Sequence, residues 1–130
     1  MNASLLSQRT IVVVEDHADS RMALGLFLGQ SGANTVLAAN AAEGINAVKS
    51  NRPDLVLSDI QMPDSDGFEL LREIRALGPN AGGDVPVIAI SGFIRQSDRT
   101  RILDAGFQGF IPKPYTPERL LETILTVLAK

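Results

Sequence analysis

Acidic, hydroxyl and ammonium side chains follow short apolar segments at widely separated points of this chain. They are Glu15, Asp16, Asp59, Ser91 and Lys113. Each residue type, taken alone, is common in turns and at helix ends. If the apolar segments are strands of one parallel sheet, however, all five side chains reach the same edge. In open α/β sheets this edge, outside the carboxyl ends of the strands, is where ligands bind.

Three carboxylates gathered at one edge would require a balancing positive charge. At about 5 Å and an effective dielectric constant near 20, each pair of carboxylates repels by about 3 kcal/mol. Lys113 supplies one positive charge, and Mg²⁺ is a hard cation that prefers oxygen ligands. Mg²⁺ commonly uses one or two carboxylates together with a phosphate oxygen. One aspartate is then free to act as a nucleophile toward a phosphoryl donor.

Five apolar segments can supply the strands that position these side chains. The strongest segments are continuous rather than alternating, which is typical of strands covered by helices on both faces. The segments are 11–14, 35–38, 55–57, 87–90 and 109–111.

Helical patterns lie between and after these segments. Thr116 is the predicted N-cap of the last helix, with Pro117 at its first position. Asn40 and Glu43 predict the start of another helix, and Gly106 is placed to end a third. The helix that Gly106 ends is expected over 97–105, and two more helices are expected over about 18–30 and over 68–77. This alternation, with right-handed crossovers, predicts one α/β domain with helices on both faces of a parallel sheet.

Composition excludes several classes of function. A chain of 130 residues suits one domain, and the absence of cysteine excludes a disulfide scaffold, a thiolate zinc site and cysteine catalysis. A net charge of -3 carries no footprint of nucleic-acid binding. No apolar run approaches the roughly 20 residues that span a bilayer, and no secretory signal is present. We therefore expect a cytoplasmic protein, with 1–9 as a short extension and 10–130 as the domain.

The motifs at the strand ends together resemble the receiver domain of bacterial two-component response regulators, over about residues 10–128. They are Val14-Glu15-Asp16, Asp59-Ile60-Gln61-Met62-Pro63, Asp66-Gly67, Ile90-Ser91-Gly92 and Ile111-Pro112-Lys113-Pro114. The resemblance implies a flavodoxin-like, doubly wound, five-stranded parallel sheet in the order 2-1-3-4-5 with five helices. It also implies a signalling switch that catalyses only its own phosphorylation and dephosphorylation, and so is not otherwise an enzyme.

The resemblance implies a role for each residue of the acidic edge. Asp59 would accept a phosphoryl group from a phosphohistidine, and Asp16 would bind Mg²⁺ directly. Glu15 would act on the metal largely through water, while Asp59 and the backbone carbonyl of Gln61 would complete the metal site. A histidine kinase or a histidine phosphotransfer protein is the implied donor.

The resemblance also implies how the phosphorylation would be read out. The Ser91 hydroxyl would contact the phosphoryl oxygen, and the ammonium group of Lys113 would neutralise its charge. A cis Lys113–Pro114 peptide bond would aim the lysine at the acidic pocket. Phe110 would turn inward and change the surface of the fourth helix, fifth strand and fifth helix. The expected partner is a downstream protein of unknown identity, and the expected state is a monomer or a weak dimer.

Neighbouring residues receive simpler interpretations. We expect His17 to face solvent at a helix start rather than to bind metal, and Met22 to pack in the core. Asp66 is predicted to cap the helix that begins at Gly67. Arg95, Arg99 and Arg101 are interpreted as a solvated helix face, although arginines there could guide a partner.

Other functions compete with the phosphoacceptor switch. A phosphotransfer enzyme of the haloacid dehalogenase type would place a second aspartate two positions after its nucleophile, where this chain has Gln61 after Asp59 and Ala18 after Asp16. A flavodoxin would place a phosphate-binding loop rich in Gly, Ser and Thr at 15–17, where this chain has Glu15-Asp16-His17. Two alternatives remain: the receiver of a larger hybrid histidine kinase, and a pseudo-receiver that binds partners without phosphorylation.

Overall fold

A computed structural model describes residues 5–62, 66–92 and 96–129, without the side chain of residue 96. The strands are β1 Thr10–Val14, β2 Asn34–Ala38, β3 Leu55–Asp59, β4 Val87–Ser91 and β5 Gly109–Pro112. The helices are α1 Ala18–Gln30, α2 Ala41–Asn51, α3 Gly67–Ala76, α4 Gln96–Ala105 and α5 Pro117–Leu128. A short 3-10 helix, Pro79–Ala81, precedes β4. Pro63, the last residue of the motif at 59–63, lies outside the described residues. Arg95, which precedes the predicted fourth helix, also lies outside them.

The strands form one parallel sheet in the order β2-β1-β3-β4-β5, which confirms the predicted fold. Every residue of β3 and β4 is buried, as expected for continuous apolar segments inside the sheet. β2 and β5 are the edge strands and are more exposed. Pro112 cannot donate a ladder hydrogen bond, and its place on β5 at the sheet edge accommodates it.

Each face of the sheet carries its own apolar core. Along β1, Val12 and Val14 belong to the cluster packed by α2, α3 and α4, whereas Ile11 and Val13 belong to the cluster packed by α1 and α5. This alternation follows from the period of two residues in a strand. Leu6, which precedes β1, is also buried in the second cluster.

The predicted helix starts are confirmed by their side-chain caps. The Asn40 side chain accepts a hydrogen bond from the Glu43 amide, and the Asp66 side chain accepts one from the Glu69 amide. Thr116 caps α5 in the same way, and Pro117 occupies its first position. These bonds satisfy amides that have no partner within the helix.

Arg75 fixes the loop that leads into β4. Its guanidinium donates to the carbonyl oxygens of Gly83 and Val85 at 2.9 and 2.7 Å. It also donates to the side chain of Gln108, whose oxygen accepts from the Val87 amide as well. One arginine of α3 therefore sets where β4 begins.

Two further observations concern exposure and the membrane. Met22 is 59% exposed, so the prediction that it packs in the core was wrong. Its helix, α1, buries Leu24 and Leu28, and Met22 lies away from that stripe. Within the described ranges, no helix combines the length and apolar character required to cross a bilayer.

Gly44 gives a test of the packing between α2 and the sheet. A Cβ atom at this position would lie 2.9 Å from Val14 Cγ2, so Val14 or α2 would have to move. We expect Gly44→Ala to lower the free energy of unfolding by about 1 kcal/mol, measured by urea denaturation. In the control Gly29→Ala, a Cβ would meet no atom within 4 Å. That substitution should raise stability by about 0.5 kcal/mol through helix propensity. Stabilisation by both substitutions would contradict tight packing at Gly44.

Candidate functional site

The sheet brings three acidic side chains together at the carboxyl ends of its strands. Glu15 and Asp16 directly follow β1, and Asp59 is the last residue of the adjacent strand β3. One ligand oxygen from each of the three lies within 4.8 Å of the others. Glu15 and Asp59 are buried, with 2% and 4% of their surface exposed, while Asp16 is half-buried. The adjacency of β1 and β3 therefore creates a concentrated negative site.

Lys113 is the cation that lies among these acids. Its Nζ atom is 2.9 Å from Asp59 Oδ2 and 3.6 Å from Glu15 Oε1. Burial lowers the pKa of Lys113, but the hydrogen bond and charge of Asp59, with the charge of Glu15, leave that pKa raised. The lysine therefore stays protonated. The Lys113–Pro114 peptide bond is cis, as the sequence analysis predicted.

The pKa of Glu15 stays above its ordinary value although Lys113 lies nearby. Burial is the largest cause that raises its pKa, and the charge of Asp59 raises it further. The hydrogen bond from the His17 amide and the charge of Lys113 act in the opposite direction, but the pKa remains raised. Three carboxylates with oxygen atoms this close, and only partly neutralised, fit a divalent cation with oxygen ligands.

Both oxygens of Asp59 are held in place. Oδ2 accepts the hydrogen bond from Lys113, and Oδ1 accepts one from the Gln61 amide at 3.0 Å. The carboxylate faces an open cavity of about 680 Å³. Polar side chains from several elements line this cavity: Asp16, His17, Gln61, Asp66, Arg101 and Lys113. An oriented carboxylate in a cavity with other acids that could hold a cation is able to accept a phosphoryl group.

Ser91 and Phe110 lie on the neighbouring strands β4 and β5. Ser91 ends β4, is 4% exposed, and lines a smaller cavity of about 90 Å³ that Gln61 also lines. Because Ala89 pairs with Phe110 and Ser91 with Pro112, Ser91 and Phe110 share one face of the sheet. The Phe110 ring is half-buried, and Arg99 Cζ lies 5.0 Å from its centroid. Tyr115 packs against the cluster on the other face.

Comparisons with known proteins agree with this geometry. The sequence profile described as the response regulator receiver domain matches residues 11–125. The chain belongs to the response regulator receiver domain family. Members of this family are signalling switches rather than classical enzymes, and receiver domains bind Mg²⁺ at an acidic pocket.

Individual relatives and structures support the same family. An uncharacterized 14.6 kDa protein of Leptolyngbya boryana is 36% identical over 92% of this chain and 89% of its own length. Response regulator MprA of Mycobacterium sp. (strain KMS) is 33% identical over 92% of this chain, which spans about half (50%) of that protein. A CheY-like receiver domain protein from Methanospirillum hungatei has a TM-score of 0.83 at 30% identity, covering 95% of each chain. Vibrio cholerae chemotaxis protein CheY4 shows the shared fold, with a TM-score of 0.85 at 24% identity, covering 93% of this chain and 99% of that one.

Arg21, which was not identified from the sequence, positions the loop 15–17 between β1 and α1, called the acidic loop below. The Arg21 guanidinium donates to the carbonyl oxygens of Glu15 and Asp16 at 2.8 and 3.3 Å. Arg21 lies near the start of α1, where the helix dipole disfavours a positive charge. A basic residue at that position was therefore a signal for a specific contact.

The interpretations of the neighbouring polar residues had mixed outcomes. His17 is exposed at the N-cap of α1, which confirms the prediction that it faces solvent at a helix start. Arg99 and Arg101 are exposed, but they are more than a solvated face, because each stacks on a phenylalanine ring.

The raised pKa of Glu15 predicts how its neutral replacement behaves. Above its native pKa, wild-type Glu15 is ionised at a cost that the unfolded chain does not carry. Glu15→Gln should therefore raise the free energy of unfolding at pH 7.5, measured by urea denaturation with EDTA present. The gain should shrink as the pH falls toward the ordinary value of 4.5, where Glu15 takes up a proton in both states.

The matched control for this prediction is Glu122→Gln, which removes the same charge from an exposed position of α5. Its effect on stability should be small at every pH. A loss of stability in Glu15→Gln at pH 7.5 would contradict the prediction. It would show that the pairing of Glu15 with Lys113 outweighs the cost of burying the carboxylate.

Proposed function

We propose that this chain is a phosphoacceptor switch in which Asp59 takes a phosphoryl group from a phosphohistidine. The donor is a histidine kinase or a histidine phosphotransfer protein, and the phosphorylated form acts on a downstream protein. The proposal assigns this role to residues 10–130, with 1–9 as an extension. One observation carries it: the buried Asp59 carboxylate contacts Lys113, and one of its oxygen atoms lies within 4.8 Å of carboxylate oxygens of Glu15 and Asp16.

The transfer step follows from the contacts of Asp59. One carboxylate oxygen attacks phosphorus, and the bond between phosphorus and the histidine nitrogen breaks, with the electron pair returning to that nitrogen. Lys113 remains protonated and pairs with the negative charge of the phosphoryl group. The Gln61 amide, at 3.0 Å from Oδ1, keeps the carboxylate oriented while the new bond forms.

The acidic residues fit the Mg²⁺ that this reaction requires. Asp16 would bind the ion directly and Glu15 through water, with Asp59 and the Gln61 carbonyl as further ligands. When bound, the ion neutralises charge that develops on the phosphoryl oxygens. The Arg21 contact supports this assignment, because it orients the backbone that carries both Glu15 and Asp16.

Phosphorylation should be confined to Asp59. Intact-mass analysis after incubation with acetyl phosphate and Mg²⁺ should show one added phosphoryl group in the wild-type protein and none in Asp59→Asn. The control Asp66→Asn changes an acid of the same cavity but keeps an acceptor for the α3 cap, so it should be labelled like the wild type. Equal labelling of Asp59→Asn would refute the assignment, and an unlabelled wild-type protein would favour a pseudo-receiver.

The proposed output is the surface formed by α4, β5 and α5. A buried phosphoryl oxygen requires a hydrogen-bond donor, and Ser91 ends the strand next to Asp59. Because Ser91 and Phe110 share one face of the sheet, displacement of the Ser91 side chain opens space toward the Phe110 ring. The hydrogen bond to Ser91 differs between the two states, and this difference shifts their populations.

Beryllofluoride, which mimics the phosphoryl group on an aspartate, provides a test of the output. Adding it with Mg²⁺ should shift the NMR signals of Phe110 and of its neighbour Arg99, beyond those of the acidic loop. In Ser91→Ala the loop signals should still shift while those of Phe110 stay nearly unchanged, because the hydroxyl that couples them is missing. Shifts confined to the acidic loop in the wild-type protein would show that this surface is not the output.

A further inference from the structure

Arg101 lies beside the phosphoacceptor without belonging to the residues assigned above. It projects from α4 and lines the cavity of about 680 Å³ together with Asp59 and Lys113. It also lines the smaller cavity of about 90 Å³ that contains Ser91. Arg101 therefore borders both the cavity at Asp59 and the cavity at Ser91, and it also borders a third cavity between α3 and α4.

The Arg101 side chain is held by an aromatic ring. Its Cζ atom lies 4.2 Å from the centroid of the Phe68 ring. Phe68 is 8% exposed, and its ring meets that of Phe107 edge-on, at 5.7 Å and 83°. A guanidinium stacked on a fixed ring uses one flat face and keeps its N–H groups available in the plane. Phe68 therefore limits the orientations of Arg101 before any ligand arrives.

The two cations of the cavity differ in what they already contact. Lys113 is paired with Asp59 and lies near Glu15. Arg101 makes no ion pair or hydrogen bond within the part of the chain that the structure describes, and the Phe68 ring is the contact seen there. An anionic donor that approaches Glu15, Asp16 and Asp59 is repelled by their charges. A guanidinium available at the cavity wall offsets that repulsion.

We propose that Arg101 is a donor-binding residue that contacts the phosphoryl oxygens of the incoming phosphodonor and directs it to Asp59. The inference rests on the proposed function of Asp59. With acetyl phosphate, the Asp59 oxygen forms the new bond to phosphorus. The bond from phosphorus to the acetate oxygen breaks, and acetate leaves with the electron pair. Arg101 stays protonated and forms no covalent bond, since guanidinium donors match phosphoryl oxygens in a planar, two-point contact.

The test compares the rate of Asp59 phosphorylation in variants of the full chain. Arg101→Gln should lower the second-order rate constant with acetyl phosphate about tenfold, which corresponds to about 1.4 kcal/mol. Arg101→Lys keeps the charge but loses the planar guanidinium, so its rate constant should lie between those of the wild type and Arg101→Gln. The control Arg72→Gln removes a charge from α3 that lines a neighbouring cavity and not the one at Asp59. Its rate constant should stay within about twofold of the wild type. An equal loss in both glutamine variants would mean a general charge effect and would overturn the proposal.

A second donor distinguishes contact with the phosphoryl group from contact with the leaving group. Phosphoramidate carries a P–N bond in place of the acyl phosphate. If Arg101 binds phosphoryl oxygens, Arg101→Gln should lower the rate constants with both donors in parallel. A loss with acetyl phosphate alone would place Arg101 on the acetyl group and overturn the proposed contact.

The affinity for Mg²⁺ separates a donor-binding role from a structural one. Removing a nearby cation should leave Mg²⁺ binding unchanged or make it tighter, whereas damage to the cavity would weaken it. The chain has no tryptophan, so calorimetry is the suitable measurement. Weaker Mg²⁺ binding in Arg101→Gln would overturn the proposal. An unchanged rate in Arg101→Gln, with wild-type Asp59 labelled, would also overturn it but leave the proposed function standing. An unlabelled wild-type protein would refute the proposed function itself.

Discussion

Repulsion among the carboxylates at the ends of β1 and β3 is the constraint on which the site depends. Glu15 and Asp59 are buried there with Asp16 close by, and Lys113 is the one cation paired with them among the described residues. The pKa of Glu15 is raised mainly by burial, and the charge of Asp59 raises it further. An arrangement of this kind costs stability in the folded protein. It is consistent with a site that binds a cation and then a phosphoryl group.

The fold maintains this arrangement because the sheet beneath it is rigid. β3 and β4 are buried along their whole length, and helices cover both faces. Interiors packed in this way resist small displacements, so the ends of the strands keep their positions. The charged groups can therefore be held close together by apolar packing that lies several residues away from them.

Arginines connect two loops and the helix α4 to their neighbours in the fold. Arg21 binds the carbonyl groups of the acidic loop, and Arg75 binds those of the loop before β4. In α4, Arg99 lies over the Phe110 ring of β5 and Arg101 lies over the Phe68 ring of α3, while Ile102 of the same helix is buried. These two ring contacts link α4 to β5 and to α3.

The sequence by itself determined the order of elements and the edge at which the acids meet, and its resemblance to the receiver family implied the strand order. Continuous apolar segments, capping residues such as Asn40 and Thr116, and the family motifs are local signals that can be read without a structure. Tertiary structure alone decided the contacts of Arg21 and Arg101 and the exposure of Met22. These depend on which helix face meets which neighbour. For Arg21, the position of a basic residue near the start of a helix gave a signal. For Arg101 and Met22 the choice is set by packing between segments distant in sequence, and no local pattern around them records it.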